Sequence, residues 1–388
     1  MIAITPNSRQ SQSGFHLDVV SVALLSVIVL IGLVMVTSAS VALGAKEGDP
    51  FGYLLRQTES FLGGLVLAIW VMRQPVELWQ KYSTPLLVLG LVLLTLVLLP
   101  GIGHVVKGSR RWIHLGPINF QASEFARVLL LTYVASYVVR REHELQTKFM
   151  GLFFPLGILA VGAGLMLIEP DFGSGVILLA TGLGVLFLSG ARIRDVLLVC
   201  GTGAIAIALV AVSSAYRVKR LTAFLDPWAD PYKTGFQLTQ SLIAIGRGEW
   251  WGVGLGASVQ KLFYLPEAHT DFVFAVLSEE FGFLGISIMV ILVMALAVRA
   301  LMIARNAAGV GLKFHAAMAA AFGIWYGLQS FTNMGVNMGV LPTKGLTLPL
   351  LSYGRSSLIV TVLWFGVLMR IHHETVMAQI ASLRGGSK

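Results

Sequence analysis

The chain has 388 residues, of which 56% are hydrophobic and 12% charged, and its mean hydropathy is +0.80. That composition excludes a water-soluble globular domain and marks an integral membrane protein. The net charge of +9 and the pI near 9.8 fit anionic lipid, an anionic substrate or basic inner loops equally, so charge alone decides among none of them. A single cysteine, Cys200, rules out an intrachain disulfide, and its apolar surroundings read as a small core residue.

A helix needs about 20 apolar residues to cross a bilayer. By that measure the sequence predicts an all-α membrane protein of about ten transmembrane helices, near residues 17–40, 59–72, 84–100, 121–139, 150–168, 174–190, 196–215, 272–298, 314–340 and 356–370. The first run is too long for a cleaved signal and lacks a small-residue cleavage site, so it reads as a retained helix. Ten spans put both ends on one side. Half of the 28 basic residues fall on that side, among them Arg140, Arg141, Arg192, Arg194 and Arg299, which makes both termini cytoplasmic. The whole chain 1–388 reads as one membrane domain with cytoplasmic tails at 1–16 and 371–388 and one large outer loop at 216–270, between the seventh and eighth spans.

Four outer segments hold most of the unusual polar residues. In GSRRWIHLGPINFQASEF, Arg110 and Arg111 beside Trp112 suit a phosphate at the membrane surface, and equally suit lipid headgroups. Glu124 and Arg127, three residues apart, are expected to pair with each other. In EPDFGSG, Pro170 and Gly173 interrupt the helical pattern, so Glu169 and Asp171 are expected in a solvated turn.

The third segment is the long loop. Its GFQLTQSLIAIGRG stretch spaces Leu238, Leu242 and Ile245 helically ahead of Trp250 and Trp251, which predicts an interfacial helix folded onto the bundle. GVGLGAS is not a dinucleotide loop, because no βαβ pattern surrounds it. His269 has no second His or Cys at metal-ligand spacing and reads as a structural histidine. Asp271 opens the eighth span. An acid in a first turn is ordinarily explained by the helix dipole, yet this one lies at the outer surface among cationic loops, which also makes it a candidate base. Glu279 and Glu280 lie two to three turns further on and must face polar partners or water inside the bundle.

In the fourth segment, VLPTKGLTLPLLSYGRSSL, two prolines and two glycines forbid a continuous helix, and such backbone is tolerated at membrane depth only where it lines a cavity or packs on protein. Lys344, Ser356 and Ser357 add a cation and hydroxyls, so the segment reads as one wall of a substrate pocket.

The stretches YLPEAHTDFVFAVLSEEFGFLG, GSRRWI and LPTKGLTLPLLSYG together resemble the SEDS family of bacterial glycan polymerases, over about residues 17–374, and the TKG triplet resembles its cell-division branch rather than its elongation branch. The chain departs from the family pattern at Arg355, where the family usually has glycine. The resemblance implies peptidoglycan polymerisation from lipid II at the outer face of the cytoplasmic membrane, at the division septum, with Asp271 as catalytic base and Arg110, Arg111 and Lys344 near the leaving pyrophosphate. It also implies a class B penicillin-binding protein as partner among other division proteins, and no nucleic acid. No all-protein metal cage is visible in the sequence. A Mg²⁺ or Mn²⁺ carried by the substrate pyrophosphate is compatible with it. Two other functions share these features: a flippase for lipid II, and a non-catalytic division scaffold.

Overall fold

The computed structural model describes residues 14–106, 109–115, 118–213, 218, 222–343 and 345–385. The tail residues before 14, the loop cations Arg217, Lys219 and Arg220, and Lys344 lie outside the described residues.

The long helices, in chain order, are α1 (Val19–Lys46), α2 (Gly52–Met72), α4 (Ser83–Leu98), α5 (Ala122–Arg140), α7 (Phe149–Ile168), α8 (Phe172–Leu188) and α9 (Ile193–Val212). After the large loop come α11 (Val273–Gly309), α12 (Lys313–Asn337) and α13 (Arg355–Gly385). Short helices α3 (Val76–Lys81), α6 (Glu142–Thr147) and α10 (Phe236–Gly248) lie between them. A long helix thus occupies each of the ten predicted segments. Six of them are long and apolar enough to cross a membrane: α1, α2, α5, α7, α11 and α13. These helices make the chain a multi-pass membrane protein.

Helix α5 lies at the centre, buried along almost its whole length, and packs on α4, α12 and α8. Helix α11 packs chiefly on α12, α10 and α1, and α13 on α2. The periphery is apolar. Leu284, Ile288, Ile291, Met294 and Val298 form an exposed stripe at helical spacing on α11, as a lipid-facing surface requires. Cys200 does not sit in the core. It is exposed on α9, whose Leu197, Leu198, Ile205 and Leu209 also face outward, and this helix packs lightly on α7 and α8.

Two features correct the all-helical expectation. Between α4 and α5 the chain forms a three-stranded antiparallel sheet, β1 (Gly103–Val106), β2 (Ser109–Leu115) and β3 (Ile118–Gln121), ordered β1-β2-β3. Trp112 pairs with Gln121 and with His104 across the two ladders. The β-branched residues of this stretch, divided by Lys107-Gly108 and Gly116-Pro117, favour extended chain over helix.

The eighth span is also not one continuous helix. Gly282 has φ +62° and ψ −160°, which splits α11 into a short piece, 273–281, buried through residue 280, and a longer piece with a lipid-facing side. The backbone freed by the break is taken up by the large loop. Val253 and Gly254 N–H donate to the Glu279 and Glu280 carbonyls (2.9 and 3.1 Å), and Phe283 and Leu284 N–H donate to Glu249 and Trp250 (2.8 and 3.2 Å). A Cβ at Gly282 would stand 2.4 Å from the Gly252 nitrogen, so glycine is required both for its torsion angle and for this approach. Helix α10 packs on α11 as the sequence pattern predicts, with Leu238 buried and Trp250 and Trp251 exposed beside the break.

Candidate active site

Asp271 lies two residues before α11, half-buried, and its position is fixed from α12. Asn333 Nδ2 and Asn337 Nδ2 both donate to the Asp271 carbonyl oxygen (2.9 and 3.0 Å). Asn333 Nδ2 also donates to the Leu346 carbonyl (2.6 Å), and Asn337 Oδ1 accepts from the Ala275 N–H (3.1 Å). One pair of amides therefore holds both the turn that carries Asp271 and the broken segment after α12. The carboxylate lies against that segment: a Cβ at Gly345 would stand 3.1 Å from Asp271 Oδ2.

The segment has further supports. Gln329 Nε2 donates to the Thr347 carbonyl (3.2 Å), while Gln329 Oε1 accepts from Arg127 Nη1 (2.7 Å) and Trp325 Nε1 (2.8 Å). Arg127 pairs with Glu124 as predicted (3.3 Å) and stacks over Trp325, 5.4 Å from the ring centre. Gln329, Asn333 and Asn337 were not singled out in the sequence. Their signal was there, amides at i, i+4 and i+8 on an apolar helix, which is one polar stripe facing the site.

The two arginines of β2 point to different places, as adjacent strand residues do. Arg110 Nη1 donates to the Leu98 carbonyl (3.0 Å). Arg111 donates to the carbonyls of Glu169 and Pro170 (3.3 and 2.7 Å) and to Ser109 Oγ (3.1 Å), and lies 3.9 Å from Asp171. Ser356 Oγ donates to the Asn119 carbonyl (2.9 Å) and accepts from the Gln121 N–H (3.0 Å), joining α13 to β3. Ser357 Oγ accepts from Thr347 Oγ1 (3.3 Å). These residues gather around the sheet, the α7–α8 turn and the start of α13. Arg355 reaches α2, where its Nε donates to Ser60 Oγ (3.1 Å) with Glu59 at 4.0 Å, so this side chain is seated against the neighbouring helix.

The α7–α8 turn is not solvated as the sequence reading expected. Asp171 is buried, accepts from Ser123 Oγ (3.1 Å) and caps α8 through the Ser174 N–H (3.4 Å). Glu169 is fully buried and neither of its carboxyl oxygens has a hydrogen-bond partner among the described residues. Burial first, and then the charge of Asp171, push its pKa up to about 8, against the opposing pull of Arg111. Distant residues cover the turn, among them Arg111, 58 residues earlier, Ser123 and Leu346, which local pattern could not show.

Glu279 and Glu280 are both completely enclosed. Glu279 accepts from Arg247 (3.0 Å), from Ser258 Oγ (2.5 Å) and from the Val259 and Gln260 N–H groups (3.1 and 3.3 Å). Glu280 Oε1 accepts from Lys261 Nζ (2.8 Å) and Ser38 Oγ (2.6 Å). Both acids clamp the large loop onto α11 and α1. His269 ends that loop in an aromatic cluster, 5.1 Å from the Tyr53 ring and 5.7 Å from Tyr353.

Broken helices, a capping sheet and a loop clamped by buried acids define a multi-pass membrane protein with a polar site at one end of its bundle. Residues 18–377 match the model of the family described as "Cell cycle protein", FTSW_RODA_SPOVE, and the chain belongs to that family. It is 52% identical over 352 residues to the "Probable peptidoglycan glycosyltransferase FtsW" of Nitrosococcus halophilus, covering 90% of this chain and 91% of that one. A relative of the same description from Methylomonas methanica is 44% identical over 389 residues, 100% of both chains. Among solved structures, a chain of "Structural coordination of polymerization and crosslinking by a peptidoglycan synthase complex" superposes with a TM-score of 0.76 at 30% identity, over 93% of this chain and 99% of that one. The Thermus thermophilus rod shape determining protein RodA superposes at 0.68 with 28% identity, over 92% and 97%.

Proposed function

We propose that the chain is a peptidoglycan glycosyltransferase of the division branch, which polymerises lipid II at the outer face of the cytoplasmic membrane. The observation that carries this reading is the Asp271 carboxylate, held over Gly345 by a turn that Asn333 and Asn337 fix from α12. The ten long helices then cross the bilayer with both termini inside, which directs the sheet, the large loop and Asp271 outward.

In the reaction, Asp271 takes the proton from the 4-hydroxyl of the acceptor's N-acetylglucosamine. The freed oxygen attacks C1 of the growing chain's N-acetylmuramic acid from the face opposite the departing undecaprenyl pyrophosphate, which turns the α-linkage into β. A positioned base contributes roughly 10²–10⁴ in rate to such a step. Lys344 and the arginines of β2 supply positive charge for the pyrophosphate. Among the described residues, the one His and acid cluster with metal-ligand spacing is Glu77, His315 and Glu374, far from Asp271, so a Mg²⁺ or Mn²⁺ in this reaction would be held by the pyrophosphate itself. The partner is a class B penicillin-binding protein that crosslinks the new strand at the septum.

The test is glycan synthesis from labelled lipid II by the purified chain with that partner, comparing wild type and Asp271→Asn at equal folding and partner binding. Polymer from wild type alone supports the base assignment, and equal polymer from both refutes it. Absence of polymer from either, with lipid II crossing vesicle bilayers, would transfer the assignment to a flippase.

A further inference from the structure

We propose that the end of the bundle opposite Asp271 carries a zinc site made by Glu77 of α3, His315 of α12 and Glu374 of α13. His315 Nε2 lies 2.5 Å from Glu374 Oε2 and 4.0 Å from Glu77 Oε1, and the three donor atoms are all within 4.8 Å of one another. A tetrahedral zinc ion with bonds of about 2.0–2.2 Å sets its ligand atoms roughly 3.3 Å apart. The observed triangle brackets that spacing, so the site closes with small side-chain shifts.

The ligands are prepared unequally. His315 is buried, and Glu374 Oε1 is already held by Arg370 Nε (2.5 Å) and the Val76 N–H (3.2 Å), which turns Oε2 toward the imidazole. Such outer contacts orient a metal-binding carboxylate. Glu77 is 65% exposed and free to swing onto an entering ion. A cavity of ≈ 380 Å³ opens on all three side chains, giving an entry path and room for a water as fourth ligand. An imidazole nitrogen with two carboxylate oxygens suits zinc, whereas Mg²⁺ and Ca²⁺ favour all-oxygen sites. On binding, zinc takes the Nε2 lone pair, and any proton there leaves to solvent.

The location gives the site its meaning. His315 is 22 residues from Asn337 on one helix, about 33 Å at 1.5 Å per residue, so the cluster lies a bilayer's thickness from Asp271. The ion would tie together the inner ends of α12 and α13, whose other ends hold the Asp271 turn and the sheet. Zinc at the inner face would thereby stiffen the frame of the outer site.

The experiment measures zinc binding by the tag-free, detergent-purified full chain, through competition with a chromophoric chelator and through thermal unfolding with and without zinc. Expected are one bound ion per chain and a higher unfolding temperature with zinc, with affinity at least tenfold weaker for Glu77→Gln, a surface change that leaves the fold intact. His315→Gln weakens binding further, and Glu142→Gln, a change at a separate exposed acid, binds as wild type does. Absence of stoichiometric binding by wild type, or unaltered affinity in Glu77→Gln, would overturn the proposal and leave His315 and Glu374 as an ion pair.

Discussion

Lys261→Met isolates what holds the outer loop to the bundle. Lys261 and Glu280 are both buried, their charged groups are 2.8 Å apart, and Ser38 bonds to each. The second Glu280 oxygen has no partner among the described residues, so removal of the ammonium leaves a buried carboxylate with Ser38 alone. Breaking one side of a buried pair costs about 3–5 kcal/mol, which corresponds to roughly 4–6 °C in unfolding temperature for a chain of this size. Removing both charges is less harmful, because the uncompensated charge disappears with its partner. The assay is a double-mutant cycle of Lys261→Met, Glu280→Gln and the double variant, followed by tryptophan fluorescence on heating and by protease cleavage within 226–270. The double variant is expected to be more stable than Lys261→Met, with the loop cut faster in that single variant. Strictly additive losses, or a Lys261→Met shift below about 1 °C, would refute the claim that this pair anchors the loop.

Three other changes probe the site. Gly345→Ala places a methyl 3.1 Å from Asp271 Oδ2 and is expected to displace the carboxylate by a few tenths of an ångström, reducing glycan synthesis roughly tenfold with the unfolding temperature unchanged; unchanged synthesis would show that the carboxylate works elsewhere. Asn337→Ala leaves the Ala275 N–H with the Phe272 carbonyl as acceptor (3.0 Å) and removes a donor to the Asp271 carbonyl, an expected loss of about 0.5–1.5 kcal/mol together with slower synthesis, read by thermal unfolding and polymer yield. Glu169 has its native pKa raised from 4.5 to about 8, so the native state binds its proton more tightly than the unfolded state does. Its stabilising contribution is complete below about pH 4.5 and is lost as pH rises through 8, a difference of a few kcal/mol that Glu169→Gln should remove. Parallel pH–stability curves for wild type and Glu169→Gln would contradict this.

The helices were legible because a 20-residue apolar run has few other physical meanings. Asp271 draws notice for a related reason, since an acid at the edge of such a run needs an explanation, but its role as base comes from the family resemblance and not from pattern. The sheet was not, since strands of 4, 7 and 4 residues leave little periodicity, and the arginine pair within β2 drew the eye to surface charge. Burial of Glu169 was hidden for another reason. Pro170 and Gly173 mark a turn but say nothing about what covers it, and the cover includes Arg111. Amides such as Asn333 and Asn337 weigh little against an apolar run, so their helix reads as a plain span although their stripe faces the site. The cluster of residues 77, 315 and 374 has no local spacing at all, because three separate elements bring it together.

Two breaks follow Asp271 in the chain, at Gly282 within α11 and again between α12 and α13. Unpaired backbone at membrane depth is costly unless protein satisfies it. Loop residues 249–254 do so at the first break, and Gln329, Asn333 and Ser352 do so at the second, where Ser352 Oγ accepts from the Leu348 N–H (2.9 Å). The short piece of α11 before Gly282 therefore cannot hold Asp271 in place by continuity with the long piece. Its register comes from the amides of α12 at one end and from the Glu279 and Glu280 clamps at the other. Substitutions in α12 or in the loop should then slow the reaction without touching substrate, whereas changes on the lipid-facing side of α11 beyond the break should leave the rate unaltered. That contrast follows from a carboxylate positioned by its neighbours rather than by its own helix.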